Sequence, residues 1–237
     1  AVPVAAVGLS LLPDAIYPPP NGKPRLVVWK ERLLDPMAGA NYDPGTWASA
    51  VEYNHSLTGV TRRWLAFEQV QIDGRTTAAP RADRPSTTDR KRLNLALAGA
   101  LGLIALAAVW RRPTNPAPEL LAAEAGVVLT LMLLFSPMSS KAHFCTLLIP
   151  QLALVRIGWA HRDRRLLALM VLVGIAGFCT GKDVSGRRLY ELLLWHGLIF
   201  WITVALFAGC CYARWRYGRA AAEAAAEVEP APARLAA

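Results

Sequence analysis

The sequence predicts an all-α fold: a polytopic membrane bundle of about five transmembrane helices, with the remnant of another helix at its start. Three observations predict it. Of the 237 residues, 54% are hydrophobic, and the mean hydropathy is +0.29. Only 18% are charged, against about 25% in an ordinary soluble domain. The charges are also ordered: 26 Lys and Arg face 17 Asp and Glu, and the basic residues bracket apolar stretches in short runs at 90–92, 111–112, 161–165 and 213–219. This apolar content excludes a disordered chain, and four Cys in this length exclude a small disulfide scaffold. A nucleic-acid binder would gather its basic residues on one face or arm, interleaved with stacking aromatics. Bracketing of apolar segments fits interfacial anchoring instead, so no nucleic-acid partner is expected.

Five segments reach or approach the ~20 residues that cross a bilayer. Asn94 to Trp110 is nearly pure Leu, Ala and Gly. Glu119 to Ser136 holds Glu124 as its interior charge. Phe144 to Ala160 contains Pro150, Gln151 and Arg156. Leu166 to Thr180 is short, and Leu192 to Tyr212 is rich in aromatics. Residues 1–13 are apolar but too short to span, and they lack the basic start of a secretory signal. They read as the end of a truncated helix, 1–17, so the chain is expected to be the C-terminal portion of something longer.

Orientation follows from the basic residues in alternate short loops. Nine arginines, at 111, 112, 156, 162, 164, 165, 214, 216 and 219, fall in one set. Four residues, Lys141, Lys182, Arg187 and Arg188, fall in the other. The first set is expected in the cytoplasm and the second outside. Residues 18–92 then form an extracytoplasmic region of loop and interfacial helices, with 74–92 as a flexible connector. Residues 93–213 carry the five spans, and 214–237 form a low-complexity cytoplasmic tail. Cys145, Cys179, Cys210 and Cys211 lie in or beside apolar spans, without metal-ligand spacing to one another or to His. No metal site and no disulfide is expected.

Two outward segments concentrate polar chemistry. Asn54-His55-Ser56-Leu57-Thr58-Gly59, followed by Arg62 and Arg63, combines amide, imidazole, hydroxyl and guanidinium groups beside a glycine. The plainer reading is a polar turn before an interfacial helix anchored by Trp64. Between the second and third spans lies Ser136-Pro137-Met138-Ser139-Ser140-Lys141-Ala142-His143. Lys141 supplies a point charge for a phosphate and His143 a titratable ring. Here too a plainer reading stands, a connecting turn whose lysine snorkels to the headgroups. The loop count puts both segments on one face, where cationic and hydroxyl groups suit a phosphate-bearing lipid.

These residues resemble a known family. Asn54-His55-Ser56-Leu57-x-Gly59-x-x-x-Arg63 is similar to the Asn-Gln-Ser-Leu-x-Gly-x-x-x-Arg motif of glycosyltransferase family 87. Ser136 to His143 is similar to that family's Ser-Pro-x-Ser-Trp-x-His-His motif, with Ser140 for Trp and Ala142 for the first His. The stretch Leu26 to Leu34, with Trp29, resembles the segment that precedes the first motif. The resemblance implies a GT-C membrane hexosyltransferase, typically a mannosyltransferase, in the bacterial inner membrane. Its donor would be a polyprenyl-phosphate sugar, its acceptor a lipid or glycan, and it would need no cofactor. The implied site has His143 as the catalytic residue, with Asn54, His55, Ser56, Arg63, Ser139 and Lys141 binding the donor and its phosphate. The family's carboxylate base lies in a first outer loop with no counterpart here; Asp14 matches no catalytic position and Glu52 is a weak stand-in. Two other classes compete: a non-catalytic membrane subunit that binds lipid phosphate or a partner protein, and a transporter. Few interior charges and no paired broken helices argue against the transporter.

Overall fold

A computed structural model describes residues 14, 16–17, 22–31, 35, 54–72, 75–110, 117–137, 139 and 141–228. Most of the expected helix remnant, the end of the tail, and Met138 and Ser140 of the second motif lie outside these residues. The chain divides into two compact units, Ala1–Pro44 and Gly45–Ala237. In the first, a short helix α1 (Arg25–Trp29) is held at its start by Asp14. That carboxylate accepts from the Arg25 backbone N–H at 2.8 Å and from its guanidinium at 3.0 Å.

The second unit begins with α2 (Leu57–Ala66), which runs directly into strand β1 (Phe67–Ile72). Strand β2 (Arg75–Pro80) pairs antiparallel with β1, from Phe67 opposite Pro80 to Ile72 opposite Arg75. This hairpin occupies part of the expected connector, and it is the one departure from an all-helical plan among the described residues. Asp73-Gly74 between the strands is a two-residue hairpin signal that the sequence did carry. The base of the hairpin is closed by the Arg81 N–H on the Ala66 carbonyl at 3.0 Å.

Helix α3 (Thr87–Val109) is the first span. It starts seven residues before the expected Asn94 because Ser86 caps it: the hydroxyl accepts from the Asp89 N–H at 3.1 Å. The run Arg90-Lys91-Arg92 therefore lies within the first two turns of this helix. Helix α4 (Pro118–Phe135) opens on a proline at its first position and stops before Pro137. A 3-10 segment (Lys141–Leu147) then winds into α5 (Leu148–Ala160), so that His143–Ala160 forms one span.

Helix α6 (Arg164–Phe178) is capped by Asp163, whose carboxylate accepts from the Arg165 and Leu166 N–H groups. Its 15 residues rise only about 22 Å, less than a hydrocarbon core. Beyond the turn at Cys179–Gly181 the chain bends by 90° into α7 (Lys182–Trp195). The expected fourth span is thus half of a bent pair. The expected fifth span, from Leu192, is also shifted: α8 (Leu198–Val228) begins after a break at Gly197. That glycine sits at φ 72°, where a side chain would be strained, and Leu192 to Trp195 belong to α7.

Helix α8 is the centre of the bundle and packs most extensively on α4. Leu120, Ala123, Val127, Leu154, Ile157, Leu206 and Cys210 form the heart of the core. The outer surfaces remain apolar. On α3, Leu95, Leu103 and Ile104 are exposed, as lipid-facing residues of a spanning helix are. Among the described residues four helices are long and apolar enough to cross a membrane, or five where the bent pair counts as one span. The protein is an all-α polytopic integral membrane protein.

Candidate functional site

The two polar segments lie 83 residues apart at their closest bonded positions, yet they form one buried cluster. Asn54 is the knot. Its amide Nδ2 donates to the Pro137 carbonyl at 2.8 Å. Its Oδ1 accepts from the Ser56 N–H (3.1 Å), the Ser56 hydroxyl (2.8 Å) and the Ser139 N–H (3.2 Å). The backbones add a further tie, His55 N–H to the Ser139 carbonyl at 2.9 Å. Ser139 in turn donates its hydroxyl to the Leu133 carbonyl at 2.8 Å, in the last turn of α4.

Ser56 also caps α2, its hydroxyl accepting from the Gly59 N–H at 3.2 Å. A Cβ on Gly59 would lie 2.5 Å from the Asn54 carbonyl oxygen and side chain, so the motif glycine is required by the approach of Asn54. Helix α2 is itself fastened to the bundle. Leu57 and Val60 pack on Leu134 and Phe200, Trp64 stacks on Trp201 at 5.8 Å, and the Thr61 hydroxyl reaches Asn94 at 2.7 Å. It is a packed element of the core end, where the sequence suggested a helix at the membrane interface.

Arg63 is fully buried. Its guanidinium donates to the Asn54 carbonyl at 2.5 Å and to the Trp195 carbonyl at 3.2 Å, joining α2 to the end of α7. His55 is 1% exposed and edge-on to Phe144 at 6.0 Å, and its Nδ1 has no hydrogen-bond partner among the described residues. Burial, aided by the positive charges of Arg63 and Lys141, pushes its pKa down from 6.5 to about 3. The ring is therefore neutral at physiological pH.

Lys141 and His143 differ from the rest in being exposed. The Lys141 ammonium donates to the Thr180 carbonyl at 2.7 Å and lies over the Tyr190 ring at 5.8 Å. The bend between α6 and α7 is thereby drawn to the same end of the bundle as Asn54. The sequence did not point to this bend, nor to the Trp195 carbonyl as an Arg63 partner. Both are backbone groups, which carry no residue-type signal.

The sequence matches no protein-family model, and neither a curated protein nor a solved structure matches it. The site must be judged on its own geometry. Among the described residues no group of three or more His, Cys, Asp or Glu is arranged to hold a metal ion. What the cluster offers is a rigid polar knot with positive charge inside it and a cation and an imidazole at its rim.

The buried neutral His55 makes stability depend on pH. The unfolded chain binds a proton near pH 6.5 and the folded chain only near pH 3. This stabilisation is complete above pH 6.5 and is lost as the pH falls through the window toward 3. Thermal unfolding in detergent should show a melting temperature that drops across pH 6 to 4. In His55→Gln that slope should flatten, because no titrating group remains at the position. An equal acid slope in the variant would assign the effect elsewhere.

Proposed function

We propose that this chain is a membrane glycosyltransferase, or a large part of one, that moves a hexose such as mannose from a polyprenyl-phosphate donor to a lipid or glycan acceptor. The observation that carries this reading is the junction of the two motif segments by the Asn54 side chain and the His55 backbone. The resemblance to glycosyltransferase family 87 rests on the same two segments, and a shared site is what that resemblance requires. Positive charge there suits a leaving phosphate. We place this end of the bundle on the extracytoplasmic face, in agreement with the loop charges. Arg214 counted among the nine inner arginines but is buried within α8; without it the bias is still eight against four.

In this reaction the acceptor hydroxyl attacks the anomeric carbon, and the bond from that carbon to the phosphate oxygen breaks. The configuration inverts, the acceptor proton passes to a carboxylate base that the resemblance puts in an outer loop without counterpart in this sequence, and polyprenyl phosphate departs. Lys141 would hold the phosphate oxygens as a point charge, and His143 would donate a hydrogen bond to the leaving group. Asn54, Ser56 and Ser139 take a different part from direct contact with sugar. Their polar atoms are engaged with one another and with backbone, so they position the rim that Lys141 and His143 occupy.

That same engagement favours a second reading, a non-catalytic membrane subunit that binds lipid phosphate or a partner protein. One experiment separates the two. A chain that also carries a base-bearing outer loop, in nanodiscs, is given a polyprenyl-phosphate hexose and a lipid acceptor, and both donor binding and hexose transfer are measured. Transfer that falls at least ~100-fold in His143→Ala, with donor binding retained, supports the transferase with His143 assisting departure. Unchanged turnover in that variant removes His143 from the mechanism. Donor binding with no transfer by the wild type favours the subunit.

A further inference from the structure

A second polar feature lies at the opposite end of the bundle, where α5 ends, α6 begins and α8 passes. It is a cleft of about 300 Å³ walled by His161, Arg162, Arg164, Arg165, Arg216 and Tyr217. Four arginines thus line a space that holds one carboxylate residue, Asp163. That carboxylate is already engaged by neutral donors: the Tyr217 hydroxyl at 2.7 Å, the Tyr212 hydroxyl at 3.1 Å, and the N–H groups of Arg165 and Leu166. Among the described residues, no ion pair includes Arg162, Arg164, Arg165 or Arg216. The His161 ring stacks on Tyr217 at 4.1 Å and 17°, forming a flat wall. Arg162 is held at φ 50°, the left-handed position closing α5. Glycine is favoured there and a long side chain is strained.

We propose that this cleft is a binding site for a phosphate-bearing anion. Guanidiniums present forked donors that match phosphate oxygens, and four arginines lining one cleft gain when an anion offsets their mutual repulsion. Tyr212 and Tyr217 hold Asp163 through their hydroxyls, and Asp163 caps α6 beside the arginine-bearing turn. A plain topology signal needs arginines near a span but neither a cleft nor a left-handed turn. The strain at Arg162 is accounted for when its side chain is part of a site. The cleft sits where the candidate spans His143–Ala160 and Leu198–Gly218 end, and the ends of spans meet the headgroup region. The phosphate can therefore come from a lipid or from a soluble phosphate compound. This inference is independent of the proposed transferase activity.

The test uses the full chain in nanodiscs, with melting temperature as the readout. One arm adds phosphatidic acid to phosphatidylcholine discs; the other adds inorganic phosphate to discs of phosphatidylcholine alone. Wild type should melt higher in at least one arm, and that arm identifies the source. Arg162→Gly should melt higher than wild type without ligand, because the turn strain is relieved. It should nevertheless need at least tenfold more ligand for the same shift, and Arg216→Gln should behave likewise toward ligand. Arg156→Gln removes one positive charge at the same end but outside the cleft, and should respond as wild type does. No shift in either arm overturns the proposal. So does an undiminished response in Arg162→Gly and Arg216→Gln, or an equal loss in Arg156→Gln, which would reduce the effect to general charge.

Discussion

Arg63→Ala should unfold the motif end of the bundle, lowering stability by about 3–5 kcal/mol. The guanidinium is fully buried and bridges the Asn54 and Trp195 carbonyls, so its loss strands two buried acceptors and leaves a side-chain cavity. It ties together three parts of the chain: the first motif, α2 and the end of α7. Arg63→Lys should recover only a part, because one ammonium cannot reproduce a fork that reaches two carbonyls in different directions. Thermal or denaturant unfolding in detergent gives the comparison. The result also bears on the site. A contact made only to a donor phosphate would leave the melting temperature untouched while donor binding fell. That outcome would overturn the structural role assigned here.

The second large effect concerns the interior of the membrane region. Arg214→Ala should lower stability by about 3–5 kcal/mol, because it leaves Glu124 without its closest cation in a low-dielectric core. Arg214 is 1% exposed, and its Nε lies 2.6 Å from the Glu124 carboxylate, joining α8 to α4, the two helices that share the most extensive contact. Removing both charges together, as in Glu124→Leu with Arg214→Met, should restore most of the loss, because an apolar pair avoids the cost of taking ions out of water. The double-mutant cycle then reads the coupling directly. Arg214→Ala with wild-type stability would show that the pair contributes nothing, and the cycle would have no coupling to report.

The spans were legible for a simple reason. A stretch such as Asn94 to Trp110 is apolar on every side, and that property needs no knowledge of its neighbours. Boundaries were less legible where a local signal competed with hydropathy. The Ser86 cap starts α3 seven residues early, in a segment whose Pro and Thr content reads as a connector. The bend after Phe178 and the break at Gly197 moved the last two spans, because an apolar run continues through a turn that backbone geometry interrupts. The hairpin at 67–80 had its Asp-Gly signal, outweighed by the polar composition around it.

The candidate site divides in the same way. Both polar segments came from residue types in the sequence, and their common face from the loop count. Which members face each other did not. Asn54, Ser56 and Ser139, expected at a ligand, bind one another and the backbone in the folded chain. Arg214 was read as a loop charge and is the buried partner of an acid 90 residues away.

By itself the sequence determined that this is a helical membrane protein with a strong bias in its basic residues and two polar motifs. Those are properties of composition and short-range order, each readable within about twenty residues. Only the tertiary structure decided that Arg63 bridges two carbonyls, that Lys141 reaches the bend at Thr180, and that four arginines and Tyr217 line one cleft. A buried polar group must find a partner, and packing of distant segments chooses which one.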